Sequence, residues 1–308
     1  MIIVQLHGGL GNQLFQYAAA RALAARRRAE LRLDVSHFQS KQRPDELAQF
    51  SRSFKLRHFH VDAAIATPAD VRRVRDRYCP NYLTRVLARE VKRRFPRWAL
   101  GHYAERSANF DPALLSQPDG VYVEGYLQSE RYFKDQEPLI RRELTLRDDA
   151  LRAYAAEYVA RRRGAGGPVV AVHVRRGDLA YSVEVVNRPD YIYGMPVSID
   201  YVRAGMARFP PGSTYLVFSD SGKDLDWCAQ RIAGPGVHFC YGHSDLQDFA
   251  VMQACDHHVI SNSTFSWWAA WLNPSPHKRV VAPRAWFDPA RYPDYNPRSL
   301  IPRPWELL

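Results

Sequence analysis

Charged side chains directly follow an apolar run in the sequence VVAVHVRRGD, residues 169–178. The run ends at Val174, and Arg175 and Arg176 come next. A guanidinium is permanently charged and can contact a phosphate through two parallel hydrogen bonds, so Arg175 is suited to hold a phosphate. Because strand residues alternate in direction, His173 faces the same side as Arg175 and could donate to a phosphate or a sugar hydroxyl. Arg176 faces the other side and is expected to brace the loop or pair with a carboxylate.

The alternative for these two arginines is an ordinary surface ion-pair cluster that binds nothing. Two further polar segments argue against it, because Ser219 and Asp220 end a second apolar run and a hydroxyl-rich segment follows a third. In open parallel sheets the carboxyl ends of the strands meet at one edge, and ligands bind there. The sequence therefore predicts that the three segments converge on one ligand.

The hydroxyl-rich segment SNSTF supplies the second group of candidate residues. Its members are Ser261, Asn262, Ser263, Thr264 and Phe265. They precede an aromatic helical pattern, and a helix N-terminus with small hydroxyl residues favours an anion. The alternative is a plain N-cap without a ligand. Trp267, Trp268 and Trp271 of this helix are expected to be core residues rather than a platform for sugar rings.

The elements that must position these residues alternate regularly after Pro168. Strands are predicted over 169–174, 214–220, 237–240, 258–261 and 279–282. Helices are predicted over 198–208, 222–233, 245–255 and 264–272. Alternating strands and helices predict an α/β fold with a parallel sheet and right-handed crossovers.

A separate strand, turn and helix open the chain. The strand is predicted over Ile2–Leu6, and an alanine-rich helix from Asn12 onward has an apolar face. That face consists of Leu14, Phe15, Ala18, Ala19 and Leu23. The turn contains Gly8, Gly9 and Gly11, which would let another molecule approach the backbone closely. A tight turn without a ligand needs the same glycines, so both interpretations stay open.

The middle of the chain gives weaker patterns, with helices over 68–77 and 82–94 and a strand, turn and short helix over 121–133. A polar helix over 148–163 ends in the glycine-rich stretch RRRGAGGP, which is the best candidate linker. The sequence therefore predicts an N-terminal domain, 1–163, and a C-terminal domain, 168–308.

Composition limits the classes of partner. The chain of 308 residues has a net charge of +11, and arginine clusters at 26–28 and 161–163 contribute to it. A nucleic acid, an anionic membrane or a phosphorylated small molecule could use this charge, and so could a solvated surface with no partner. The basic runs lack the interleaved aromatics of a nucleobase platform, so no nucleic-acid partner is expected. The sequence shows no signal peptide and no span of roughly 18 apolar residues, and its four cysteines read as reduced thiols of a cytoplasmic protein.

Five motifs, in this order along the chain, resemble glycosyltransferase family 11, the α-1,2-fucosyltransferases. They are HGGLGNQLFQYAAARALA, GYLQSERYF, HVRRGD, FSD and LQDFAVMQACDHHVISNSTFSWWAAWLNP. HVRRGD is similar to an HxRRxD element that α-1,2-, α-1,6- and protein O-fucosyltransferases share. The combination with the serine-rich motif is what makes the resemblance specific.

The resemblance implies a GT-B-like architecture of two Rossmann-like halves facing across a cleft, the N-terminal one on the acceptor side. It implies inverting, metal-independent transfer of fucose from GDP-β-L-fucose to the 2-hydroxyl of a galactoside, with no cofactor. Arg175 would neutralise the departing β-phosphate, and His173 and Asp178 would hold the donor or the loop. The SNSTF segment with Ser219 and Asp220 would line the donor pocket. The Gly8–Asn12 turn would approach from the facing half.

Two assignments stay open under the resemblance. The general base for the acceptor hydroxyl is Asp178 or Glu184, or the departing phosphate takes the proton and no base is needed. Asp178 could also only brace the arginines. The sequence LAYSVEVVNRPDYIYGMPVSIDY after Asp178 differs from relatives, which leaves the acceptor open between a galactose-terminated oligosaccharide and a lipid-linked glycan. The basic and aromatic run KRRFPRW, residues 92–98, would suit peripheral contact with an anionic membrane.

Alternative functions come from related and unrelated classes. A protein O- or α-1,6-fucosyltransferase, or a transferase of another GDP-sugar, would share HxRRxD but would not be expected to carry the full SNSTFSWW and YLQSERYF set. A basic nucleotide- or nucleic-acid-binding protein is the non-enzymatic alternative. The pair Asp224 and Asp226 matches a DxD metal motif, but it falls at the predicted start of a surface helix, where acids favour the helix dipole. No metal site is therefore expected.

Overall fold

The chain forms two compact units, Met1–Thr145 and Leu146–Leu308. Each is an α/β unit around one parallel sheet, which confirms the predicted fold class. The computed structural model describes residues 1–39, 53–75, 101–164, 166–176, 196–290 and 292–308. Among those residues, no helix is both long and apolar enough to cross a bilayer.

The first unit has a five-stranded sheet in the order β3-β2-β1-β5-β4, with all pairs parallel. Its strands are β1 (Ile2–Gln5), β2 (Leu31–Asp34), β3 (Ala64–Ile65), β4 (His102–Ala104) and β5 (Tyr122–Glu124). Its helices are α1 (Leu10–Arg27), α2 (Ser36–Gln39), α3 (Pro68–Arg75) and α4 (Glu137–Glu143). The chain goes from β1 to β2 and β3 on one side and fills the other side later with β4 and β5. The strand order therefore reverses between β1 and β5.

Helix α1 is buried on all sides from Leu10 to Ala24, and not only along the predicted apolar face. Arg21 is the half-buried exception within this range. The five residues of that face are all buried, as expected. Two glutamines are buried with them and have partners, since the Nε2 of Gln13 donates to the carbonyls of Gly8 at 3.0 Å and Ser53 at 2.8 Å. A buried amide is tolerated only when hydrogen bonds replace its water, so these contacts allow a polar residue inside the unit.

The second unit has a six-stranded parallel sheet in the order β11-β10-β9-β6-β7-β8. Its strands are β6 (Val169–Val174), β7 (Thr214–Ser219), β8 (Val237–Phe239), β9 (His257–Val259), β10 (Val280–Ala282) and β11 (Glu306–Leu307). Its helices are α5 (Asp149–Arg162), α6 (Ile199–Met206), α7 (Gly222–Ile232), α8 (Asp245–Ala254), α9 (Thr264–Leu272) and α10 (Pro297–Leu300). Strands β6 to β10 and helices α6 to α9 match the predicted series, with shifts of a few residues at some ends.

Strand β6 forms the centre of the second unit. All six of its residues are buried, and Val170, Val172 and Val174 pack with Val202 of α6 in one apolar cluster. A strand covered on both faces by helices is apolar on both faces, which explains the continuous run in the sequence. Strands β7 and β9 pair with it on either side.

The boundary between the units precedes α5, whereas the sequence placed it after that helix. Helix α5 packs against α8 of the second unit. The hydroxyl of Tyr154 lies 3.0 Å from Nε2 of His243, and the ring of Tyr158 meets the same imidazole edge-on. These contacts assign α5 to the second unit. The sequence placed the boundary elsewhere because a hydrophobicity pattern does not show which sheet a polar helix packs against. Of the two helices expected earlier, the first is Pro68–Arg75, and residues 82–94 lie outside the described residues.

Candidate active site

The strand order of the second sheet reverses between β6 and β9. From β6 the chain proceeds to β7 and β8 on one side, and β9, β10 and β11 fill the other. Ligands of open α/β sheets bind outside the carboxyl ends of the strands at such a reversal. Arg175 follows β6 and Ser261 follows β9, so the two principal candidate segments end on adjacent strands at this position.

His173 links these two strand ends. Its Nδ1 lies 2.7 Å from the Oγ of Ser261, and both side chains are buried. The pKa of His173 is lowered to about 4, mainly by burial; the charge of Asp220 opposes the shift and that of Arg175 adds to it. The imidazole is therefore neutral at neutral pH, where it can hydrogen-bond a ligand but does not carry charge.

Arg176 is held by groups of the protein itself. Its backbone N–H donates to Oδ2 of Asp220 at 2.8 Å, and its Nε donates to Oδ1 of Asp224 at 3.2 Å. Its guanidinium lies over the ring of Trp227, 3.7 Å from the centroid. The prediction that Arg176 braces the loop and pairs with a carboxylate is confirmed.

The expected surface position of Asp224 is wrong. Asp224 is completely buried, because the first turn of α7 faces the loop after β6 and pairs with Arg176. The hydroxyl of Ser221 lies 2.6 Å from its second oxygen, Oδ2. Asp226, two residues on, is exposed, so the two acids of the DxD sequence have different environments. Sequence reasoning missed Asp224 as a positioning residue; its spacing from Ser221, typical of an N-cap, was the available signal.

Ser219 and Asp220 fix the strand end that carries Arg175. The Oγ of Ser219 donates to the carbonyl of Val174 at 2.6 Å, and Asp220 receives the N–H of Arg176. Both bonds hold the backbone on either side of Arg175, whose side chain is half-buried. The Arg175 side chain thus begins from a backbone position that hydrogen bonds hold on both sides, and its planar guanidinium can contact an anion through two hydrogen bonds.

The SNSTF segment lies on the other side of the reversal. Ser261, Asn262, Ser263 and Thr264 are all buried, and Phe265 is half-buried with its ring 6.1 Å from that of His173. The Nδ2 of Asn262 lies 3.4 Å from the carbonyl of Trp286, a residue that the sequence did not single out. Ser263 occupies the N-cap position of α9, yet its side chain makes no capping hydrogen bond. The plain N-cap interpretation therefore does not account for this serine.

The three tryptophans of α9 belong to the core, as expected. Trp267 and Trp268 are completely buried, and Trp271 is nearly so. The Nε1 of Trp267 donates to the carbonyl of Leu300 at 3.1 Å. Helix α9 is therefore anchored along its apolar length and presents its N-terminus at the carboxyl edge of the sheet.

The glycine-rich turn of the first unit lies at the corresponding edge of its own sheet. Gly8 has φ +77°, and a Cβ there would lie 2.6 Å from Nδ2 of Asn12, so this position requires glycine. Gly9 has φ −76° and precedes α1, and Gly11 lies inside that helix. Asn12 is buried, and its Oδ1 accepts a hydrogen bond from Nε2 of Gln128 at 3.1 Å.

Several arginines of the basic clusters have partners within their own unit. Arg26 bonds to Asp135 and the carbonyl of Tyr132, and Arg27 bonds to the carbonyls of Leu115 and Gln117. Arg163 pairs with Asp256. These guanidinium groups donate to backbone carbonyls and carboxylates of the protein itself, so part of the positive charge stabilises the fold.

The remaining candidates have no described structure. Asp178, Glu184 and the run 92–98 lie outside the described residues. Within the ranges that the structure describes, no three His, Cys, Asp or Glu side chains are grouped as metal ligands.

A family model for glycosyl transferase family 11 matches residues 1–292. The chain belongs to this family. It is therefore a glycosyltransferase, and the edge of the second sheet at Arg175 is its candidate active site.

Relatives match over nearly the whole chain. An alpha-1,2-colitosyltransferase of Escherichia coli is 28% identical, covering 99% of this chain and 98% of its own. The O-antigen biosynthesis glycosyltransferase WbnK of the same species is 25% identical over 92% and 93% of the two chains. The mouse galactoside 2-alpha-L-fucosyltransferase Sec1 is 28% identical over 88% of this chain and 64% of its own.

Solved structures support the fold. The fucosyltransferase NodZ from Bradyrhizobium superposes with a TM-score of 0.50 at 17% identity, covering 89% of this chain and 93% of NodZ. Arabidopsis thaliana FUT1, in a complex with GDP, gives a TM-score of 0.51 at 11% identity, covering 94% and 72% of the two chains. The GT-B-like class expected from the sequence is thus confirmed at the level of the fold.

Proposed function

We propose that this family 11 enzyme transfers L-fucose from GDP-β-L-fucose to the 2-hydroxyl of a terminal galactoside, with inversion and without a metal. The observation that carries the proposal is the arrangement of Arg175, the neutral His173 and the N-terminus of α9 at the strand-order reversal of the second sheet. One permanent cation and a helix dipole there suit a diphosphate. The α-1,2-transferases among its relatives support the linkage.

In this mechanism the protein stabilises the leaving group. The bond between the anomeric carbon and the phosphate oxygen breaks, negative charge grows on GDP, and the acceptor hydroxyl attacks from the opposite face. Arg175 meets the growing charge directly, and the dipole of α9 adds to it. Arg176 instead holds the loop through Asp224, so the two adjacent guanidinium groups have different roles in this mechanism.

The proton of the acceptor hydroxyl needs a destination. His173 does not serve as the base, because its pKa of about 4 makes the imidazole a weak proton acceptor at neutral pH. Asp178 and Glu184 remain the two candidates, and late transfer to the departing phosphate is the route without a base. Rates of Asp178→Asn and Glu184→Gln across pH separate these routes, because loss of the true base lowers the rate and changes its pH dependence, whereas unchanged rates in both variants would leave neither carboxylate as the base.

Colitose transfer is the second candidate function. It is favoured by the 28% identity to an alpha-1,2-colitosyltransferase over 99% of the chain. Colitose is fucose without the 3-hydroxyl, so the two donors present the same diphosphate and differ in one hydrogen-bonding group. A site built to bond that hydroxyl would reject the deoxy sugar strongly, whereas a site without a partner for it would accept both.

Measurement of GDP release with a panel of GDP-sugars tests both candidate functions. The donors are GDP-fucose, GDP-colitose and GDP-mannose, and the acceptors are lactose, N-acetyllactosamine and lacto-N-biose. We expect release with GDP-fucose that depends on a galactoside, and a new α-1,2 linkage in the product by NMR. Release of GDP only with GDP-colitose would establish the second candidate. Release with neither GDP-fucose nor GDP-colitose would overturn both candidates.

We also propose that a lipid-linked glycan can serve as the acceptor and that the basic run 92–98 contacts the anionic membrane presenting it. The charge and aromatic content of that run support this. Sedimentation with liposomes of acidic and neutral lipid tests it, since equal binding to both would contradict the proposal.

A further inference from the structure

The motif GYLQS, residues 125–129, forms a turn at the strand-order reversal of the first sheet. It directly follows β5, the neighbour of β1, and the glycine-rich turn follows β1. The ring of Tyr126 meets that of His7 edge-on, with centroids 4.6 Å apart. The two turns are therefore adjacent at the edge where an α/β sheet binds ligands.

A single carboxylate holds the GYLQS turn. Glu105 follows β4, and its Oε2 accepts the backbone N–H of Tyr126 at 2.7 Å, while the N–H of Leu127 lies 3.1 Å from both oxygens. Leu127 has φ +54°, a conformation that costs free energy for a residue with a Cβ. Gly125 has φ +152°, and a Cβ there would overlap that of Glu105. The turn adopts this shape because the Glu105 side chain occupies its inside.

Amide side chains join this turn to the glycine-rich turn. The Nε2 of Gln16 donates to the carbonyl of Gly125 at 3.1 Å, and its Oε1 accepts the backbone N–H of His7 at 3.1 Å. The Nε2 of Gln128 donates to Oδ1 of Asn12 at 3.1 Å, and both side chains are buried. A movement of the GYLQS turn therefore displaces the partner that orients Asn12.

We propose, resting on the function proposed above, that Glu105 is a positioning residue for transfer: its ionised carboxylate fixes the GYLQS turn, which orients Asn12 through Gln128. The ionised carboxylate accepts both backbone N–H groups in charge-assisted hydrogen bonds, whereas a protonated carboxyl or an amide accepts them only through a neutral oxygen and adds a donor beside them. The ionised form is thus the one that fits the turn.

Glu105 gains or loses its proton in a pH range where activity can be measured. Burial raises its pKa from 4.5 to about 7, the N–H groups of Leu127 and Tyr126 oppose this, and the carboxylate of Asp111 adds to it. Burial and, in turn, the charge of Glu105 raise the pKa values of the Tyr103 and Tyr132 phenols, which are therefore neutral near pH 7. Because the ionised form is the active one, transfer should fall as pH decreases through about 7.

The main test compares wild type with Glu105→Gln. At pH 8 we expect kcat/KM to fall about 10- to 100-fold, the effect of losing a hydrogen bond to a charged group. We expect the residual activity to lack the acid limb near pH 7, which loss of folded protein alone would not remove. A wild-type rate with an unchanged acid limb in this variant would overturn the proposal.

Asp111→Asn is the matched control. It leaves Glu105 and the turn in place but removes the neighbouring negative charge, so the acid limb should move to lower pH while the rate at pH 8 stays within about twofold. The amide can still accept the N–H of Ala113, which Asp111 caps at 2.9 Å. A limb that does not move would show that a different group titrates.

Hydrogen exchange tests the coupling without activity. In Glu105→Gln, amide exchange should become faster in peptides covering 125–129 and also in those covering 7–16, relative to wild type at the same pH. Unchanged exchange in the second segment would overturn the link to Asn12. If the wild type uses no GDP-sugar, the proposed function fails, and the exchange result still decides the positioning role.

Discussion

Two adjacent arginines after β6 have different surroundings, and this difference assigns their roles. The Arg176 side chain lies between a fully buried carboxylate and an indole ring. Arg175 follows a strand end that Ser219 and Asp220 fix, beside the neutral imidazole of His173. Alternation along a strand predicts opposite directions, but only the pairing with Asp224 shows that Arg176 is structural.

Substitution of each arginine should separate catalysis from stability. In Arg175→Ala, we expect transfer to fall by a factor of about 10² to 10⁴, because a charge-stabilising contact in the transition state is lost. In Arg176→Ala, the Asp224 carboxylate loses its buried partner, and the free energy of unfolding should fall by about 3–5 kcal/mol. Initial rates and urea unfolding of both variants provide the measurement. Turnover near wild type in Arg175→Ala would remove the central assignment.

At the level of elements, the N-terminus of α9 differs from those of α6, α7 and α8. The side chains of Ser198, Ser221 and Ser244 each cap their helix by accepting a hydrogen bond from a backbone N–H of its first turn. Ser263 holds the same position in α9 without such a bond, although it is 2% exposed. The Ser263 hydroxyl therefore does not serve as an N-cap, and the ligand role expected for this serine from the sequence stays a prediction.

This difference predicts opposite outcomes for two serine substitutions. Ser263→Ala should weaken GDP binding about tenfold, as expected for a lost hydrogen bond to a charged group, with little change in stability. Ser198→Ala removes a cap at 3.1 Å and should lower the free energy of unfolding by about 1 kcal/mol without changing GDP affinity. Titration calorimetry and thermal unfolding distinguish them. Equal GDP affinity in both variants would contradict a ligand role for Ser263.

The sequence predicted the local elements better than their pairings. Hydrophobic patterns located the strands and helices from Val169 to Ala282, since burial on both faces gives a continuous apolar run. The short strands β2, β3, β4 and β11 were missed, because two to four residues carry no usable period and, unlike the equally short β8, β9 and β10, they do not lie within a regular alternation of strands and helices. Asp224 was expected on the surface because helical position does not reveal which neighbour a helix faces. Glu105 was missed for a similar reason: its partners lie on the turn after a different strand.

On the scale of the whole molecule, the two sheets position their polar segments in the same way. Each places its glycine- or hydroxyl-rich segment and its fixed polar side chains after the two strands that flank the reversal of strand order. In the first unit these are Gly8 and the GYLQS turn, and in the second they are Arg175 and Ser261. Parallel strands point all their carboxyl ends to one edge, so residues that are distant in sequence meet there once helical crossovers have returned the chain.

The stability of the whole molecule should depend on two buried imidazoles. Burial lowers the pKa of His173 to about 4 and that of His258 to about 3, from an ordinary value of 6.5. Between pH 6.5 and 4 the unfolded chain binds protons that the folded protein does not, so stability is complete above pH 6.5 and falls as pH decreases through this window. Each group can contribute at most about 1.4 kcal/mol per pH unit.

His258→Gln tests this dependence away from Arg175. The glutamine cannot titrate but can still accept a hydrogen bond from Asn273, whose Nδ2 lies 2.9 Å from Nε2 of His258. We expect the variant to be less stable than wild type at pH 7.5, because the ring packing is lost, and the difference to shrink as pH falls toward 4.5. Urea unfolding at several pH values, with unchanged m-values as the control for two-state behaviour, measures it. A difference in unfolding free energy that stays constant with pH would contradict the prediction, because it would show that His258 has the same pKa in the folded and the unfolded protein.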